Sequence, residues 1–252
     1  MRDEVAKFLL AIQFLTRIPV PGGFTYSEQR MADSVRYYPM VGILIGALCS
    51  VAYWGAVFLV PSFVAILLAV AAGLLVTGAF HEDGLADTFD GIGGGHTRES
   101  SLEIMRDSRL GTYGTLALIA ALAIKTASLA VLPAPFLLMV FPAAHGLSRL
   151  SSVAVIATSR YVRTEGTGKP VSTGISAPSL AVAGLTGIAI VGTWVLVLPT
   201  PPLLAGLVGL GIGHVAMRTF FEFKLKGYTG DTLGAVQQAS EIGFYLGVLA
   251  WL

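Results

Sequence analysis

Three aspartates recur at helical spacing in the most polar stretch of this otherwise apolar chain. Asp83, Asp87 and Asp90 follow an i, i+4, i+7 pattern, which places their carboxylates in a narrow stripe along one side of a helix. Leu85 and Phe89 lie on the opposite side, so the pattern predicts a helix with one packed face and one acidic face. Three like charges this close repel one another unless a cation lies among them or some are protonated. A bound divalent cation is the simplest way to stabilise such a stripe.

The ligand atoms of this stripe are all oxygens, which favours magnesium, calcium or manganese over zinc. Magnesium commonly binds one or two carboxylates while a substrate phosphate completes its coordination shell, so we expect phosphate chemistry here. Glu82 points partly away from the stripe, so we expect it to assist metal binding rather than to be a main ligand. A merely solvated helix face is the alternative. Such faces usually mix both signs of charge, whereas this one is purely acidic and directly follows an apolar span.

Glycines interrupt and follow the acidic helix. Gly84 would weaken a helix interior by about 1 kcal/mol, which is tolerable where a ligand or another backbone must come close. Gly91 and the run at residues 93–95 are expected to end the helix. That run also suits a loop around phosphate, but the signature is weak and a flexible loop is the better interpretation.

A second polar segment contains Arg106, Asp107 and Arg109 in quick succession. Upstream of it, Ser100 and Glu103 resemble a capping box that opens a short helix. Two guanidinium groups beside an acidic metal site suit a diphosphate, because they neutralise charge that the metal does not reach. Interhelical salt bridges and the retention of positive charge on the cytoplasmic side are the alternative explanation.

A third polar segment, residues 227–232, carries several hydroxyl groups and one carboxylate. Thr229 and Asp231 are predicted to lie on the same side of the membrane as the acidic stripe and are candidates to complete the site. Lys125 and Arg149 lie instead within apolar runs, where a charge costs about 2.5–3.5 kcal/mol on insertion scales. Each needs a buried partner, a wet cavity, or a place near a helix end from which it snorkels to water.

The elements that must position these residues are membrane-spanning helices. Of the 252 residues, 54% are hydrophobic and only 12% are charged, whereas soluble domains have about 25% charged residues. Apolar runs long enough to cross a hydrocarbon core of about 30 Å recur along the chain, which predicts one polytopic all-α domain, residues 1–252. The net charge is +1 and the basic residues form no stripe, which argues against nucleic-acid binding. The single cysteine, Cys49, excludes an internal disulfide.

Six or seven transmembrane helices are predicted. The turns at Pro61, 132–135 and 199–202 carry no charge, whereas basic residues fill the alternate loops. By the positive-inside rule the charged loops are cytoplasmic and the proline turns are external. Six spans precede Arg218. The seventh is short and has Glu241 near its start, so a re-entrant or interfacial end stays open. The predicted spans are residues 39–60, 62–80, 112–132, 134–157, 178–198, 202–217 and 236–252.

The first residues are not expected to form a cleaved signal. Asp3, Glu4 and Lys7 interrupt the start, and no small-residue cleavage site follows an apolar stretch. Residues 5–16 are consistent with either an interfacial amphipathic helix or a tilted partial span.

The chain resembles a known family in five segments, which are residues 14–21 (FLTRIPVP), 37–47 (YYPMVGILIGA), 81–95 (HEDGLADTFDGIGGG), 106–114 (RDSRLGTYG) and 227–235 (GYTGDTLGA). The family is cobalamin synthase, membrane enzymes also called adenosylcobinamide-GDP ribazoletransferases. The resemblance implies that the ribose 3′ hydroxyl of α-ribazole, or of its 5′-phosphate, attacks the phosphate of adenosylcobinamide-GDP and releases GMP. Magnesium (Mg2+) is the cofactor that the resemblance implies.

The resemblance also implies roles for the acidic residues. Asp83, Asp87 and Asp90 would hold the metal with Glu82 assisting, and Asp90 would accept the proton of the attacking hydroxyl. Asp231 would contribute a metal ligand or orient the ribose. The residues expected to be catalytic are Asp87, Asp90, Arg106 and Arg109. The residues expected to bind substrate are Arg106, Asp107, Arg109, Thr229 and Asp231, with the two arginines on the diphosphate.

The expected partners are the two small-molecule substrates and the lipid bilayer. The expected location is a bacterial or archaeal cytoplasmic (inner) membrane, crossed several times, with the active site facing the cytoplasm. A homo-oligomer or an association with other cobalamin-assembly enzymes stays open.

Two other functions are weighed against this one. The acid spacing loosely resembles that of CDP-alcohol phosphotransferases, but no Ala-Arg pair follows the glycine here. A divalent-cation transporter is less favoured, because an ion pathway needs polar groups at several depths. The acids of this chain lie at one cytoplasmic margin, and its external turns carry no charge.

Overall fold

The computed structural model describes residues 2–23, 26–163, 169–171 and 174–252. Over these residues the chain is helical, and its only bridge between extended segments joins Tyr161 to Tyr228. This confirms the all-α prediction. The helices are α1 (Arg2–Leu15), α2 (Glu28–Ser34), α3 (Tyr38–Val57), α4 (Ser62–Thr77), α5 (Phe80–Gly94), α6 (Arg98–Ile104), α7 (Thr112–Ala130), α8 (Ala134–Thr158), α9 (Ala177–Val197), α10 (Thr200–Leu225) and α11 (Gly230–Trp251).

Five helical segments of the described chain are long and apolar enough to cross a membrane. They are α2 with α3, which run on as Glu28–Val57, together with α7, α8, α9 and α10. The pair α4 and α5 passes the same test jointly but is bent by 86°, so the number is up to six. The protein is therefore a polytopic membrane protein. Six of the seven predicted spans coincide with these helices, whereas the seventh lies in α11, which is not among the candidate spans. The main differences are that α10 continues to Leu225 and that α11 begins at Gly230 rather than near residue 236.

The last helix, α11, lies at the centre of the bundle. It packs most extensively against α10 and also contacts α5, α8 and α7. With 22 residues it is about 33 Å long, so it is not too short to cross. Its sequence contains too many polar residues for it to be one of the apolar candidate spans. Three of these residues, Gln237, Gln238 and Glu241, are buried inside the bundle rather than exposed to lipid.

Small residues allow the close helix pairs. On α10, a Cβ at Gly213 would lie 2.8 Å from the carbonyl carbon of Ala239 on α11. On α3, a Cβ at Gly42 would lie 2.8 Å from the Cα of Gly146 on α8. The backbones thus approach closely enough for van der Waals packing to hold the helices together in lipid.

A sharp bend between α4 and α5 sets the direction of the acidic helix. Gly78 ends α4 with φ 65°, and Ala79 follows with φ 55°, so two successive residues adopt the left-handed conformation. The N–H of Ala79 donates to the carbonyl of Leu74 at 2.9 Å, which closes the end of α4 before α5 begins at Phe80. The carboxylates therefore lie on a separate helix inclined by 86° to the apolar one, rather than on its continuation.

The N-terminal helix α1 is 14 residues long, about 21 Å, which is too short for a full crossing. Leu10, Ala11 and Leu15 are buried on one side, and the charged residues of its first turns form ion pairs with α2 and its extension. These features favour the interfacial amphipathic helix over the tilted partial span, the two interpretations that the sequence leaves open.

Candidate active site

The acidic helix α5 crosses the first turn of α11 at two glycines. A Cβ at Gly84 would lie 2.6 Å from the carbonyl oxygen of Asp231, and one at Gly234 would lie 2.8 Å from the carbonyl oxygen of His81. Gly84 is therefore explained by the close approach of another backbone, which is one of the two reasons that its position in the motif suggests. The crossing brings Asp231 beside the acidic stripe.

Three carboxylates come together at this crossing. Asp83 is exposed, and Asp87 and Asp231 are half-buried. Asp83 and Asp231 both repel the charge of Asp87, and Asp83 also repels that of Asp231. Asp231 therefore lies within electrostatic range of Asp83 and Asp87, although it is more than 140 residues away along the chain. The joint role of these acids in metal binding stays a prediction.

Asp90 is engaged differently from the rest of the stripe. Its Oδ2 accepts the N–H of Gly111 and its Oδ1 accepts the N–H of Gly114, both at 2.8 Å. These donors belong to the start of α7, where a carboxylate interacts favourably with the helix dipole. Asp90, which is 8% exposed, therefore ties α5 to α7. Its predicted roles as a metal ligand and proton acceptor stay predictions.

Glu82 turns to the interior, away from the other acids. It is 9% exposed, its Oε1 accepts the side-chain N–H of Gln238 at 2.8 Å, and the same oxygen is 3.8 Å from Nζ of Lys125. The structure does not bring Glu82 together with Asp83 and Asp87. Its contacts give no support to the predicted part in metal binding.

A buried polar network explains both charges found in apolar runs. Lys125 is 4% exposed and Arg149 is 2% exposed, so neither snorkels to water. Nζ of Lys125 lies 2.8 Å from Oε1 of Glu241 and donates to the side-chain oxygen of Gln238 at 2.8 Å. Arg149 donates to the carbonyl of His145 at 3.0 Å. The network surrounds a cavity of about 20 Å³, room for about one water molecule.

The segment with two predicted diphosphate ligands is exposed. The guanidinium of Arg109 is 88% exposed, and its Nε donates to Asp107 at 3.0 Å. This hydrogen bond lowers the pKa of the Asp107 carboxyl to about 2. Arg106 is exposed and its charge acts on Tyr161, so it lies toward the loop that precedes residue 163. The structure leaves both guanidinium groups accessible, with Arg109 already paired.

The predicted capping box at the start of α6 is wrong in register. The N-cap is Thr97, whose hydroxyl accepts the N–H of Ser100 at 3.1 Å while the Ser100 hydroxyl accepts the N–H of Thr97 at 3.0 Å. The reciprocal pair is thus Thr97 with Ser100 rather than Ser100 with Glu103, because a serine at the third helical position can replace the usual glutamate.

Thr229 is the N-cap of α11. It is fully buried, its hydroxyl accepts the N–H of Thr232 at 3.3 Å, and that hydroxyl also donates to Asp231 at 3.4 Å. Next to it, Tyr228 exchanges backbone hydrogen bonds with the segment at Arg160–Val162. Burial raises the pKa of the Tyr228 hydroxyl to about 12, so it stays protonated at neutral pH. Thr229 therefore positions Asp231, and its predicted contact with substrate stays a prediction.

One residue of this site, Arg163, was missed by sequence reasoning. Its Nη2 lies 2.8 Å from Oδ2 of Asp231 and donates to the carbonyl of Met105 at 3.2 Å. Its charge also acts on Asp87. In the sequence, Arg163 is one of several basic residues in a loop, where it is explained by the positive-inside rule. No spacing signal links it to Asp231.

The donor set suits a hard cation that a substrate helps to bind. Within the described ranges, no group of three or more His, Cys, Asp or Glu side chains is arranged to hold a metal ion. Asp83, Asp87 and Asp231 nonetheless provide oxygens only, repel one another, and are accessible in part. Magnesium is typically held by a few carboxylates while water and phosphate supply the rest of its shell, so the residues present fit it.

The chain is similar over nearly its whole length to one protein family. The family described as cobalamin-5-phosphate synthase matches residues 7–249. A protein of Shewanella frigidimarina named adenosylcobinamide-GDP ribazoletransferase is 41% identical over 248 residues, which cover 96% of this chain and 94% of the relative. Proteins with the same name from Vibrio cholerae and Ralstonia pickettii are 40% and 38% identical, each over 100% of this chain and over 96% and 98% of their own lengths. No solved structure matches the chain.

Proposed function

Since this chain belongs to the cobalamin-5-phosphate synthase family, we propose that it is a transferase that joins α-ribazole, or its 5′-phosphate, to adenosylcobinamide-GDP. The products are adenosylcobalamin, or its 5′-phosphate, and GMP. The observation that supports this best is the convergence of Asp83, Asp87 and Asp231 with Arg163 at the crossing of α5 and α11. Carboxylates for a metal and a guanidinium for phosphate are the groups that phosphoryl transfer requires.

The reaction forms one phosphorus–oxygen bond and breaks another. The acceptor hydroxyl attacks the phosphorus next to the cobinamide, its proton passes to a base, and the bond to the GMP oxygen breaks. Magnesium held by Asp83, Asp87 and Asp231 would supply positive charge for the phosphate oxygens. Arg106 and Arg109 are accessible and would bind the diphosphate.

We assign proton acceptance to Asp87 in preference to Asp90. Both oxygens of Asp90 already accept backbone N–H groups, whereas among the described residues none donates a hydrogen bond to Asp87. A base must lie within hydrogen-bond reach of the proton that it takes. The half-buried carboxylate of Asp87, which accepts no hydrogen bond from the described residues, meets that requirement more easily. Asp90 then acts by holding α5 against α7.

We also propose that the protein lies in a bacterial or archaeal cytoplasmic membrane with this site on the cytoplasmic side. In support, the three polar segments that form the site are adjacent in space: Arg163 contacts Asp231 and Met105, and Tyr161 pairs with Tyr228. These are the loops that the positive-inside rule assigns to the cytoplasm. A homo-oligomer or an association with other cobalamin-assembly enzymes stays a prediction.

Neither alternative function gains support. The family match and the named relatives correspond to the ribazoletransferase, not to CDP-alcohol phosphotransferases or cation transporters.

The test is GMP release from adenosylcobinamide-GDP by detergent-purified protein, with and without magnesium and α-ribazole. We expect release to need both additions and to be lost in Asp87→Ala. The matched control is Glu103→Ala, which removes an exposed acid outside the site and should leave turnover unchanged. Folded protein that releases no GMP would refute the transferase. Release that persists in chelator would refute the metal assignment alone, and release that persists in Asp87→Ala would refute both roles assigned to Asp87.

A further inference from the structure

We infer that Arg163 binds the diphosphate of the donor substrate directly, which rests on the proposed function. The side chain of Arg163 is 9% exposed and is held between Asp231 and the carbonyl of Met105. A buried guanidinium at the edge of an acidic site has two explanations. Either it is a tether that fastens its loop to α11, or it is a phosphate ligand that is preorganised by that tether.

The hydrogen bonds of Arg163 are incomplete without a ligand. Its contacts with the described residues both use Nη2, whereas its Nε is buried and has no hydrogen-bond partner among those residues. A guanidinium carries five N–H donors in a planar fork, and phosphate is an anion that accepts from two of them at once. A residue whose only role was to pair with Asp231 would be expected to use both N–H groups of one edge of the fork for the carboxylate.

The local charge balance also favours a ligand for Arg163. Asp83, Asp87 and Asp231 bring three negative charges to the crossing of α5 and α11, and Arg163 is the cation that acts on both Asp87 and Asp231. A divalent cation bound by these acids would replace Arg163 as their counter-charge. The guanidinium would then carry uncompensated positive charge next to the metal, where the diphosphate must lie.

Arg163 would differ from the other proposed diphosphate ligands in being fixed before the substrate binds. Arg109 is 88% exposed and pairs with Asp107, two residues away in the same loop, whereas Arg163 is buried and is held by Asp231 and by the carbonyl of Met105. A donor that is already positioned costs little conformational entropy when it binds, and this is the property that stabilises charge in a transition state.

The experiment measures the binding of GDP and GMP, without turnover, to the detergent-purified full chain in magnesium. The variants are Arg163→Gln, Arg163→Lys, Asp231→Asn and the double variant Arg163→Gln with Asp231→Asn. Arg160→Gln is the matched control, because Arg160 is an exposed arginine of the same loop. We expect wild type to bind GDP more tightly than GMP, and Arg163→Gln to weaken GDP by about 10- to 100-fold, as loss of charge-assisted hydrogen bonds does. Arg163→Lys should keep the charge but not the fork, and should show an intermediate loss.

The double variant separates a ligand from a tether. If Arg163 contacts phosphate, Arg163→Gln lowers GDP affinity to a similar extent in wild type and in the Asp231→Asn background. If it acts only through Asp231, adding Arg163→Gln to Asp231→Asn changes nothing further, and the inference is refuted. It is also refuted if wild type does not prefer GDP to GMP, or if Arg163→Gln and Arg160→Gln behave alike.

Failure of this inference is distinguishable from failure of the proposed function. Wild type that releases GMP in the transferase assay, combined with an unchanged GDP preference in Arg163→Gln, would refute only the role of Arg163. Wild type that releases no GMP would refute the transferase whatever the binding data show. Elution of each variant at the wild-type volume in size-exclusion chromatography verifies that it is folded.

Discussion

The buried network around Lys125 allows a quantitative prediction. Lys125 contacts Glu241 and Gln238 at 2.8 Å, and Glu241 is 0% exposed. The network contains two acids, Glu82 and Glu241, and two permanently charged bases, Lys125 and Arg149, together with His145, whose Nδ1 lies 3.4 Å from Oε2 of Glu241. Lys125→Met removes one base but keeps a long apolar stem, so the packing volume is nearly conserved while the charges become unbalanced.

The expected cost follows from that imbalance. Removing one partner of a buried ion pair typically destabilises a protein by about 3–5 kcal/mol, because the other charge remains buried without compensation. For a chain of this length, such a loss lowers Tm by about 6–20 °C. Adding Glu241→Gln to Lys125→Met leaves one acid, Glu82, with one base, Arg149. The double variant should therefore recover most of the lost stability, since removing both partners of a buried ion pair costs far less free energy than removing one of them.

The single cysteine provides the assay. Cys49 is the one thiol of the chain and is 1% exposed, so a thiol-reactive fluorophore reports unfolding in detergent. Because Cys49 lines the same cavity as Lys125, size-exclusion chromatography of heated samples is needed as a second readout that local opening does not affect. Lys224→Met is the control. Lys224 donates to the exposed carbonyl of His96, its one hydrogen bond to the described residues, so its loss should shift stability by about 0.5 kcal/mol or less.

Two results would refute this reasoning. One is a Tm for Lys125→Met within the range of Lys224→Met, which would mean that the buried amine contributes no pairing energy. The other is a double variant no more stable than Lys125→Met, which would mean that the lost stability comes from packing and not from a Glu241 charge left without the Lys125 counter-charge.

Three further predictions follow from the site. Asp90→Ala removes the acceptor of two charge-assisted hydrogen bonds from the start of α7 and should destabilise the protein by about 3–6 kcal/mol, seen as a lower Tm; an unchanged Tm would contradict the anchoring role. Gly84→Ala places a methyl group against the backbone of α11 and should cost about 1–3 kcal/mol and lower GMP release, whereas Gly184→Ala, where the added Cβ meets nothing within 4 Å, should do neither. The pKa of Asp107 is lowered to about 2 by Arg109, so its ion pair should contribute above the ordinary pKa of 3.8 and be lost as pH falls through about 2; an NMR titration should show the Asp107 pKa rising toward 3.8 in Arg109→Gln, and no rise would disprove the pairing.

Local periodicity was sufficient to predict a large part of this protein. Hydrophobic runs and the alternation of charged and uncharged turns predict the spans, because length and polarity in a bilayer are properties of a continuous segment. The spacing of Asp83, Asp87 and Asp90 predicts one stripe on one helix for the same reason. Gly84 signals a close approach, since a missing side chain within a helix needs an explanation. The resemblance of the acidic motif predicts the family, which the comparisons confirm.

Packing between distant segments decided how the acids are used. The crossing of α5 with α11 brings Asp231 and Arg163 to the stripe, while the contact of α5 with α7 occupies Asp90 with backbone N–H groups. Glu82 lies beside Asp83 in the chain, but successive residues of a helix point about 100° apart, and Glu82 contacts Lys125 and Gln238 instead. Spacing along a helix shows which side chains share a face. Which partner each face meets depends on contacts between segments that are 21 to 156 residues apart in the chain, and those exist only in the folded bundle.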